Sequence, residues 1–316
     1  MWKYLTNDKY DEMLSSFNLV NTNDMKKMNK LLYGISNNID SNYDEIIIKK
    51  KNNGLRYLSE PSPILKKIQK RILKNVLEEK ITSPNSHAYK KGYSAISNAK
   101  VHTNCKVILK LDIKNFFDSI NFNMVYNSCF NETLYPKKMG MLLTNLCMYN
   151  NKLPQGAPTS GYISNIVLRN FDYEVSKYCM KKMINYTRYS DDMTFSGNFE
   201  VRPLIKMINK LLYERGFRLN KSKIKVIWHN TRQQVTGVVV NEKINVSKSF
   251  RRKIRQEVYY ILNYGVDDHM ERRNIKLSSH KYLEKLIGKI NYILSVNPLD
   301  REFISYKIKL MSLKNN

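Results

Sequence analysis

The spacing between apolar residues changes along the chain between about 3.6 and 2 positions, the periods of an α-helix and of a β-strand. Helical spacing predicts helices in the first 36 residues and again after residue 240. In the first of these parts the apolar positions include Met25, Met28, Leu31 and Leu32. Apolar runs between the two helical parts predict strands.

Three extended segments have recognisable boundaries. Asn52-Asn53-Gly54 separates two apolar runs within residues 46–58, and Asn-Gly in such a place predicts a tight turn and a β-hairpin. Residues 186–196 predict a second hairpin, with Asp191-Asp192 at its tip. Residues 235–240 predict a third β segment.

Two helices have predicted N-terminal caps. Ser62, followed by Pro63 at the first helical position, caps one helix, and Ser247 caps another. The apolar stripes expected to face the core are Ile64, Ile68, Ile72 and Val76 in the first helix and Phe250, Ile254, Val258 and Ile261 in the second. The second helix also has a basic stripe on a different face, formed by Lys248, Arg251, Arg252 and Arg255. A nucleic-acid duplex would meet a row of cations there, although a solvated face is the alternative.

One predicted strand carries a carboxylate near its end. Within residues 107–113 one face holds Val107, Leu109, Leu111 and Ile113, and the other holds Ile108, Lys110 and Asp112. Aspartates on neighbouring strand ends can hold two Mg²⁺ ions about 3.5–4 Å apart, an arrangement that supports in-line phosphoryl transfer. Asp112 and Asp191-Asp192 are therefore candidate metal ligands.

The charge of the chain indicates a partner. Its 316 residues suggest about two domains, and 54 Lys and Arg against 27 Asp and Glu give a formal net charge of +27. This excess favours a nucleic-acid partner, because each neutralised phosphate releases a condensed counterion. The alternative is a merely basic protein whose lysine content reflects an AT-rich genome.

The sequence has no signal for a membrane or for secretion. No apolar run approaches the roughly 20 residues of a membrane span. The N-terminus lacks the apolar segment of a secretory signal. The 4 cysteines are far apart, without the CxxC spacing of a zinc or redox site. We therefore expect a reduced, cytoplasmic protein that does not enter a membrane.

Four segments resemble the motifs of reverse transcriptases and follow the order of that family. They are Asp112 with Phe116-Phe117, the segment Leu153-Pro154-Gln155-Gly156-Ala157-Pro158-Thr159-Ser160, the box Tyr189-Ser190-Asp191-Asp192, and the segment from Gly216-Phe217 to Lys223. Asn98-Ala99-Lys100-Val101-His102 and Val235-Thr236-Gly237 resemble the NAxxH and VTG signatures of retron reverse transcriptases. The chain thus resembles a retron-type, bacterial reverse transcriptase. It departs from that group at Ser190, where alanine is more common.

The resemblance implies an α+β fold of the right-hand polymerase type. Its palm would be an antiparallel sheet packed on helices, between fingers and a helical thumb. The implied division is an N-terminal helical extension at 1–36, fingers at 37–108, a palm with an interleaved fingers segment at 109–240 and a thumb at 241–316.

The resemblance also implies the roles of individual residues. Asp112, Asp191 and Asp192 would be catalytic acids that hold two Mg²⁺ ions, with Mn²⁺ as the alternative metal. Lys223 would protonate the departing pyrophosphate, although a solvated lysine is nearly as good an interpretation. The implied nucleotide contacts are Arg56, Phe117 as a gate against ribonucleotides, Gln155 and Gly156, with Lys67, Lys70 and Arg71 as unranked candidates beside Arg56. The predicted RNA contacts are Asn98, His102, Val235, Thr236, Gly237, Lys248, Arg251, Arg252 and Arg255.

By the same resemblance, the enzyme would bind its own structured noncoding RNA and start DNA synthesis from the 2′-OH of an internal guanosine. The product would be branched RNA–DNA, termed msDNA, made from dNTPs. Antiphage defence with a separate effector protein is the implied setting. A host RNase H would remove the template, because we expect no attached RNase H domain. Two alternatives stay open: a group II intron-like or other defence-associated reverse transcriptase, and an RNA-binding scaffold for an effector.

Overall fold

The computed structural model describes residues 6–22, 24–49 and 54–315. The helices are α1 (Asn7–Ser16), α2 (Met25–Asn37), α3 (Pro63–Ile72), α4 (Ala95–Lys100), α5 (Phe122–Cys129), α6 (Lys137–Cys147), α7 (Ser160–Val167), α8 (Arg169–Lys181), α9 (Val201–Glu214), α10 (Lys248–Tyr264), α11 (Val266–Arg272), α12 (Ser279–Val296) and α13 (Arg301–Asn315). The strands are β1 (Tyr43–Lys49), β2 (Leu55–Pro61), β3 (Val107–Asp112), β4 (Asn185–Tyr189), β5 (Asp192–Gly197), β6 (Lys225–Trp228), β7 (Gln234–Val235) and β8 (Val238–Val239). Among these helices, none is both long and apolar enough to cross a membrane.

Strands β1 and β2 form the first predicted hairpin. They pair antiparallel, with Ile46 opposite Leu58 and Lys49 opposite Leu55. The predicted turn residues Asn52-Asn53 lie outside the described residues. The apolar runs on either side of that turn therefore do become paired strands.

Helix α3 begins where the sequence predicts but buries a different stripe. Ser62 is the N-cap and Pro63 is the first helical residue. The prediction that Ile64 faces the core is wrong, because Ile64 is exposed. The face that packs inward begins one residue later and repeats at spacings of three and four positions. The buried stripe is Leu65, Ile68 and Ile72, continued by Val76 in the π-helical turn Leu73–Leu77.

The central sheet brings the predicted acids side by side. Among the described residues its strand order is β4-β5-β3-β6, and every neighbouring pair is antiparallel. Asp112, at the end of β3, lies opposite Asp192, at the start of β5. Lys110 lies opposite Thr194 on β5 and opposite Lys225 on β6. Because side chains two positions apart share a face, Lys110 and Asp112 lie on the same side of the sheet.

The two faces of the central sheet contribute to different hydrophobic cores. Leu109 and Leu111 pack in a core with residues of α1–α3 and α5–α9. Ile108, on the other face, packs in a second core with α4, the β7–β8 segment and α10–α13. This mixture of helices with antiparallel sheet confirms the predicted α+β class. The predicted division into four segments stays a prediction.

The segment at 235–240 is a tight hairpin where the sequence predicts one β segment. Val235 on β7 pairs with Val238 on β8. Thr236 and Gly237, between them, have φ values of 45° and 87°. Two consecutive residues with positive φ are typical of a type I′ turn, which reverses the chain within two residues. Thr236 Oγ1 also donates a hydrogen bond to the Ala95 carbonyl at 2.6 Å, which fastens the turn to α4.

Candidate active site

The candidate active site lies where β3 ends and the β4–β5 hairpin turns. Ser190 and Asp191 form the turn, and Ser190 has a φ of 62°. The Ile113 N–H donates to the Asp191 carbonyl at 3.1 Å, which holds the turn against the end of β3. Asp112, Asp191 and Asp192 are thereby brought to one edge of the sheet, as the sequence predicts.

Lys223 contacts the first of these acids directly. Its Nζ donates to Asp112 Oδ2 at 2.6 Å, while Asn220 Nδ2 donates to Asp112 Oδ1 at 3.0 Å. The Asn220 N–H also donates to the Asp112 carbonyl at 2.8 Å. The hydrogen bond to Asp112 raises the pKa of Lys223, so the ammonium form is favoured. Asn220 is a site residue that our sequence reasoning did not assign, although it lies within the segment from Gly216 to Lys223.

The carboxylates at this edge disfavour each other's negative charge. Burial raises the pKa of Asp191, and the nearby charge of Asp112 adds to the effect. Burial also raises the pKa of Asp192, to about 6, with a further contribution from Asp191. A bound cation would offset this excess of negative charge.

The donor chemistry of the three acids suits a hard divalent cation, which prefers carboxylate oxygens. In the part of the chain that the structure describes, however, no three carboxylate, imidazole or thiol groups already converge on one point. Both oxygens of Asp112 accept hydrogen bonds from Lys223 and Asn220. The residues therefore fit a metal in chemistry and charge, while the hydrogen bond from Lys223 engages one of the carboxylate oxygens that would bind it.

A cavity of about 850 Å³ opens beside the acids. All eight predicted catalytic and nucleotide-binding residues line it: Arg56, Asp112, Phe117, Gln155, Gly156, Asp191, Asp192 and Lys223. Lys67, Lys70 and Arg71 are not among its described lining residues. Phe116 is buried in the core, while the neighbouring Phe117 is only half-buried and faces the cavity. Of the candidate triphosphate ligands, Arg56 is thus the one placed at the cavity.

Gly156 is required by a contact within the protein. The Ser59 N–H of β2 donates to the Gln155 carbonyl at 2.8 Å, which brings the two backbones together. Gly156 has a φ of 134°, and a Cβ there would lie 2.7 Å from the Ser59 carbonyl oxygen. The family resemblance implies that this glycine is a nucleotide contact; the structure shows that its lack of a side chain allows the close approach to β2.

A buried ion pair supports the hairpin that carries the acids. Arg188 on β4 is fully buried, and its Nε and Nη2 donate to the two oxygens of Asp172 on α8 at 2.9 and 2.7 Å. Its Nη1 donates to Asn165 Oδ1 at 3.1 Å and to the Ser190 carbonyl at 3.0 Å. Our sequence reasoning did not assign Arg188 a role; a charged residue inside the strand that precedes the acids was the available signal.

Three of the predicted RNA contacts are buried, and direct contact with RNA is a wrong prediction for them. Asn98 is 1% exposed and Val235 is fully buried. His102 is also fully buried, because its ring lies between Ser196 Oγ and Thr187 Oγ1, each 2.7 Å from a ring nitrogen. The NAxxH element therefore packs α4 onto the sheet. Of the VTG element, Gly237 is exposed at the turn.

Half of the predicted basic stripe on α10 is paired within the protein. Arg251 forms an ion pair with Asp300, and Arg255 Nε lies 2.5 Å from Glu302 Oε1. These two arginines therefore fasten α10 to the beginning of α13, which corrects the prediction of four free cations. Lys248 and Arg252 have no ion pair within the described residues.

His102 predicts a loss of stability in acid. Burial lowers the pKa of His102 to about 3, well below its ordinary value of about 6.5. The unfolded chain therefore binds a proton more tightly than the folded one, and stability falls as the pH drops below about 6.5. Between pH 7 and pH 5 this residue should account for about 2 kcal/mol of the lost free energy of unfolding.

Urea unfolding at pH 7 and pH 5 tests this prediction. The loss on acidification should be about 2 kcal/mol smaller in His102→Gln than in the wild type, whatever the variant's stability at pH 7. His229→Gln, at an exposed position without an ion pair among the described residues, is the control and should keep the wild-type loss. An unchanged loss in His102→Gln would contradict the assignment.

Acids at a strand end and at an adjoining hairpin tip, beside a cavity of nucleotide size, define a nucleotide polymerase built on an antiparallel sheet. The family model described as "Reverse transcriptase (RNA-dependent DNA polymerase)" matches residues 48–245, more than half of the chain. The chain belongs to this family, and the protein is an RNA-directed DNA polymerase.

Curated proteins to which the chain is similar include reverse transcriptases of retrons. The chain is 29% identical over 259 residues to the Retron Ec86 reverse transcriptase of Escherichia coli, covering 78% of this chain and 80% of that protein. It is 31% identical over 237 residues to the Retron Ec83 reverse transcriptase of the same organism, covering 69% and 75%. A solved telomerase from Candida albicans, in complex with a TWJ fragment of telomeric RNA, aligns with a TM-score of 0.46 and 12% identity, covering 86% of this chain and 60% of that chain. The similarity to the two retron enzymes, together with the family match, confirms the sequence-based recognition of a retron-type bacterial reverse transcriptase.

Proposed function

We propose that this reverse transcriptase binds a structured noncoding RNA encoded beside it and copies part of that RNA into DNA. Synthesis would start from the 2′-OH of an internal guanosine and give branched RNA–DNA, or msDNA. The observation that carries the chemistry is the common cavity of Asp112, Asp191, Asp192, Phe117 and Lys223. The priming chemistry is supported by the similarity to retron enzymes.

Asp112 and Asp191 are the more direct metal ligands in this proposal, with Asp192 beside them. Two Mg²⁺ ions, or Mn²⁺ in their place, would activate the attacking hydroxyl and neutralise charge on the triphosphate. Arg56, exposed at the cavity, would hold the triphosphate, and the ring of Phe117 would exclude a ribose 2′-OH. Arg56 and Phe117 would thus orient a deoxynucleotide toward the acids.

Lys223 would change partners during the reaction. In the structure its ammonium donates a hydrogen bond to Asp112 Oδ2, an oxygen that would be a ligand of a bound metal ion. We propose that Lys223 would leave Asp112 when metal ions bind the three carboxylates, and that it would then donate its proton to the departing pyrophosphate. General-acid catalysis of this kind typically contributes about 10²–10⁴-fold.

Lys223→Met should therefore lower kcat by about 10²-fold while leaving the KM for dNTP nearly unchanged. Steady-state incorporation of a single nucleotide measures both quantities. Lys221→Met, two positions earlier and exposed, is the matched control and should retain the wild-type kcat. A Lys223→Met enzyme with the wild-type kcat would show that this lysine does not act as the general acid.

The sheet face that carries the acids suggests a path for the nucleic acid. Lys110 and Lys225 lie directly opposite each other on β3 and β6, and neither has an ion pair among the described residues. Like charges in such positions destabilise a sheet, and a phosphate backbone passing over them would remove the repulsion. Burial also lowers the pKa of Lys110; the nearby charge of Asp192 opposes this effect, and Lys225 adds to it. The proposed path then continues past the exposed Gly237 to Lys248 and Arg252.

The biological setting is part of the proposal. The relatives named above are enzymes of retrons, which supports msDNA as the product, a separate effector protein as partner and a role in antiphage defence. Removal of the template would fall to a host RNase H. A role as RNA scaffold for the effector is compatible with catalysis by the same chain.

An in vitro reaction tests the priming chemistry. The purified protein is incubated with RNA transcribed from the DNA flanking its gene, with Mg²⁺ and with one labelled dNTP. The label should become attached to that RNA, and replacing the priming guanosine by 2′-deoxyguanosine should abolish the attachment. Extension from a 3′ end would favour the group II intron-like alternative. Tight RNA binding without any incorporation would favour the scaffold.

A further inference from the structure

Tyr89 is a cavity residue that lies outside every motif identified in the sequence. It belongs to the segment between the π-helical turn and α4 and lines the cavity beside the acids. Tyr89 is 52% exposed, and its ring nevertheless makes two specific contacts. The ring centroid lies 6.4 Å from that of Phe117, and the phenol oxygen lies 3.3 Å from Ser190 Oγ.

The backbone of Tyr89 is held in a costly conformation. Its φ of 55° lies in the left-handed region, which a bulky residue rarely adopts. The segment before it is fastened to β4: the Arg188 N–H donates to the Asn85 carbonyl at 2.7 Å, and the His87 N–H donates to the Arg188 carbonyl at 2.8 Å. Asn165 Nδ2 donates to the Ala88 carbonyl at 2.8 Å. These bonds fix the backbone that aims Tyr89 into the cavity.

The ring of Tyr89 rests on a glycine. A Cβ on Gly161 would lie 2.4 Å from Tyr89 Cγ, so no side chain fits there without displacing the ring. Gly161 lies in the first turn of α7, directly after the motif segment of residues 153–160. The glycine therefore provides the surface against which the ring is seated.

Tyr89 and the acidic hairpin tip share one buried support. Arg188 Nη1 donates both to Asn165 Oδ1, whose amide nitrogen binds the Ala88 carbonyl, and to the carbonyl of Ser190. The hydroxyl of Ser190 then faces the phenol of Tyr89. An alanine at position 190 could not make that contact. Tyr89 and the turn carrying Asp191 are thus held as one rigid unit.

We propose that Tyr89 contacts the incoming dNTP and determines how strictly the enzyme selects it. Its ring and that of Phe117 would bound the site of the new base pair, with Ser190 and Gly161 as positioning residues that hold the Tyr89 ring. The proposal rests on the proposed nucleotide role of this cavity, but it does not depend on how synthesis is primed.

Kinetics of single-nucleotide incorporation on an RNA template with an annealed DNA primer test this proposal. Tyr89→Ala should raise the KM for the correct dNTP by about tenfold with a small change in kcat, because a contact made before chemistry is lost. The preference for the correct over a mismatched dNTP should fall by a similar factor. Gly161→Ala should reproduce both effects, because its Cβ would displace the Tyr89 ring while residue 89 stays a tyrosine.

A double-mutant cycle tests the role of Ser190. Tyr89→Phe and Ser190→Ala each remove one side of the hydroxyl contact, so each should weaken selectivity by about twofold to threefold. The double variant should be no worse than either single variant, because both lose the same contact. Tyr173→Ala, at an exposed tyrosine on α8 outside the cavity, is the matched control and should behave as wild type.

Two results would overturn the proposal. If Tyr89→Ala lowers kcat equally for all nucleotides, with unchanged dNTP KM and selectivity, the ring has only a structural role. If it raises the KM for the primer–template alone, the ring contacts template or primer. Melting temperatures of all variants show whether folding is preserved. Because the primer is supplied, a failure of 2′-OH priming would leave this test intact.

Discussion

Asp191→Asn is expected to lower DNA synthesis by about 10³-fold or more, because the proposed metal ligand set loses one of its charges. RNA affinity should stay within about twofold, since the proposed phosphate contacts are separate residues such as Lys248 and Arg252. Primer extension on an RNA template measures the first quantity, and a filter-binding titration with the flanking-locus RNA measures the second.

Asp268→Asn is the matched control for this variant. Asp268 also belongs to an Asp-Asp pair, but it lies on α11, where it pairs with the exposed Arg272. It should keep wild-type synthesis. Normal DNA yield from Asp191→Asn would contradict the assignment of the catalytic acids, whereas a parallel loss of RNA binding would mean that the acids and the RNA site are not separate.

Asp172→Ala is expected to have the largest effect on stability, about 3–5 kcal/mol of the free energy of unfolding. The change would leave the guanidinium of Arg188 buried without a counter-charge, and Tyr186 would lose the acceptor of its hydroxyl, which lies 2.7 Å from Asp172 Oδ1. Because Arg188 also supports Asn165 and Ser190, activity should fall with stability. Urea unfolding of the purified variant measures the effect.

Glu174→Ala on the same helix is the control. Glu174 pairs with Arg215 on the protein surface, and exposed pairs of this kind contribute at most about 1 kcal/mol. Equal losses from the Asp172 and Glu174 variants would show that the buried pair is not a special support of the acidic hairpin. Near-wild-type stability of Asp172→Ala would show the same.

The parts of the site that could be predicted from the sequence are those in which local pattern and pairing coincide. The alternation in residues 107–113 fixes the face on which Asp112 lies, and the hairpin around Asp191 brings both acids to the same edge of the sheet. Ser62 and Ser247 are N-caps in the structure because a cap depends only on residues three positions apart.

The features that could not be predicted depend on contacts between distant segments. His102 is buried because its ring forms hydrogen bonds with Thr187 and Ser196, which lie 85 and 94 positions further along the chain. The backbone of Gly156 packs closely against β2, and Arg251 forms an ion pair with Asp300. No local sequence pattern indicates either contact. The run of valines at 235–240 suggests one strand, because an apolar pattern does not reveal a turn made by Thr236-Gly237. Tertiary packing decides all of these positions.

The nucleic acid that co-purifies with the protein expressed from its native locus is the most direct test of the proposed function. It would be treated with RNase and, separately, with a 2′–5′ debranching enzyme, and then resolved on a denaturing gel. We predict a single-stranded DNA whose mobility shifts on debranching and which is absent from Asp191→Asn. DNA that does not shift would contradict priming from a 2′-OH, and RNA without any DNA would contradict the account of this protein as the enzyme that makes msDNA.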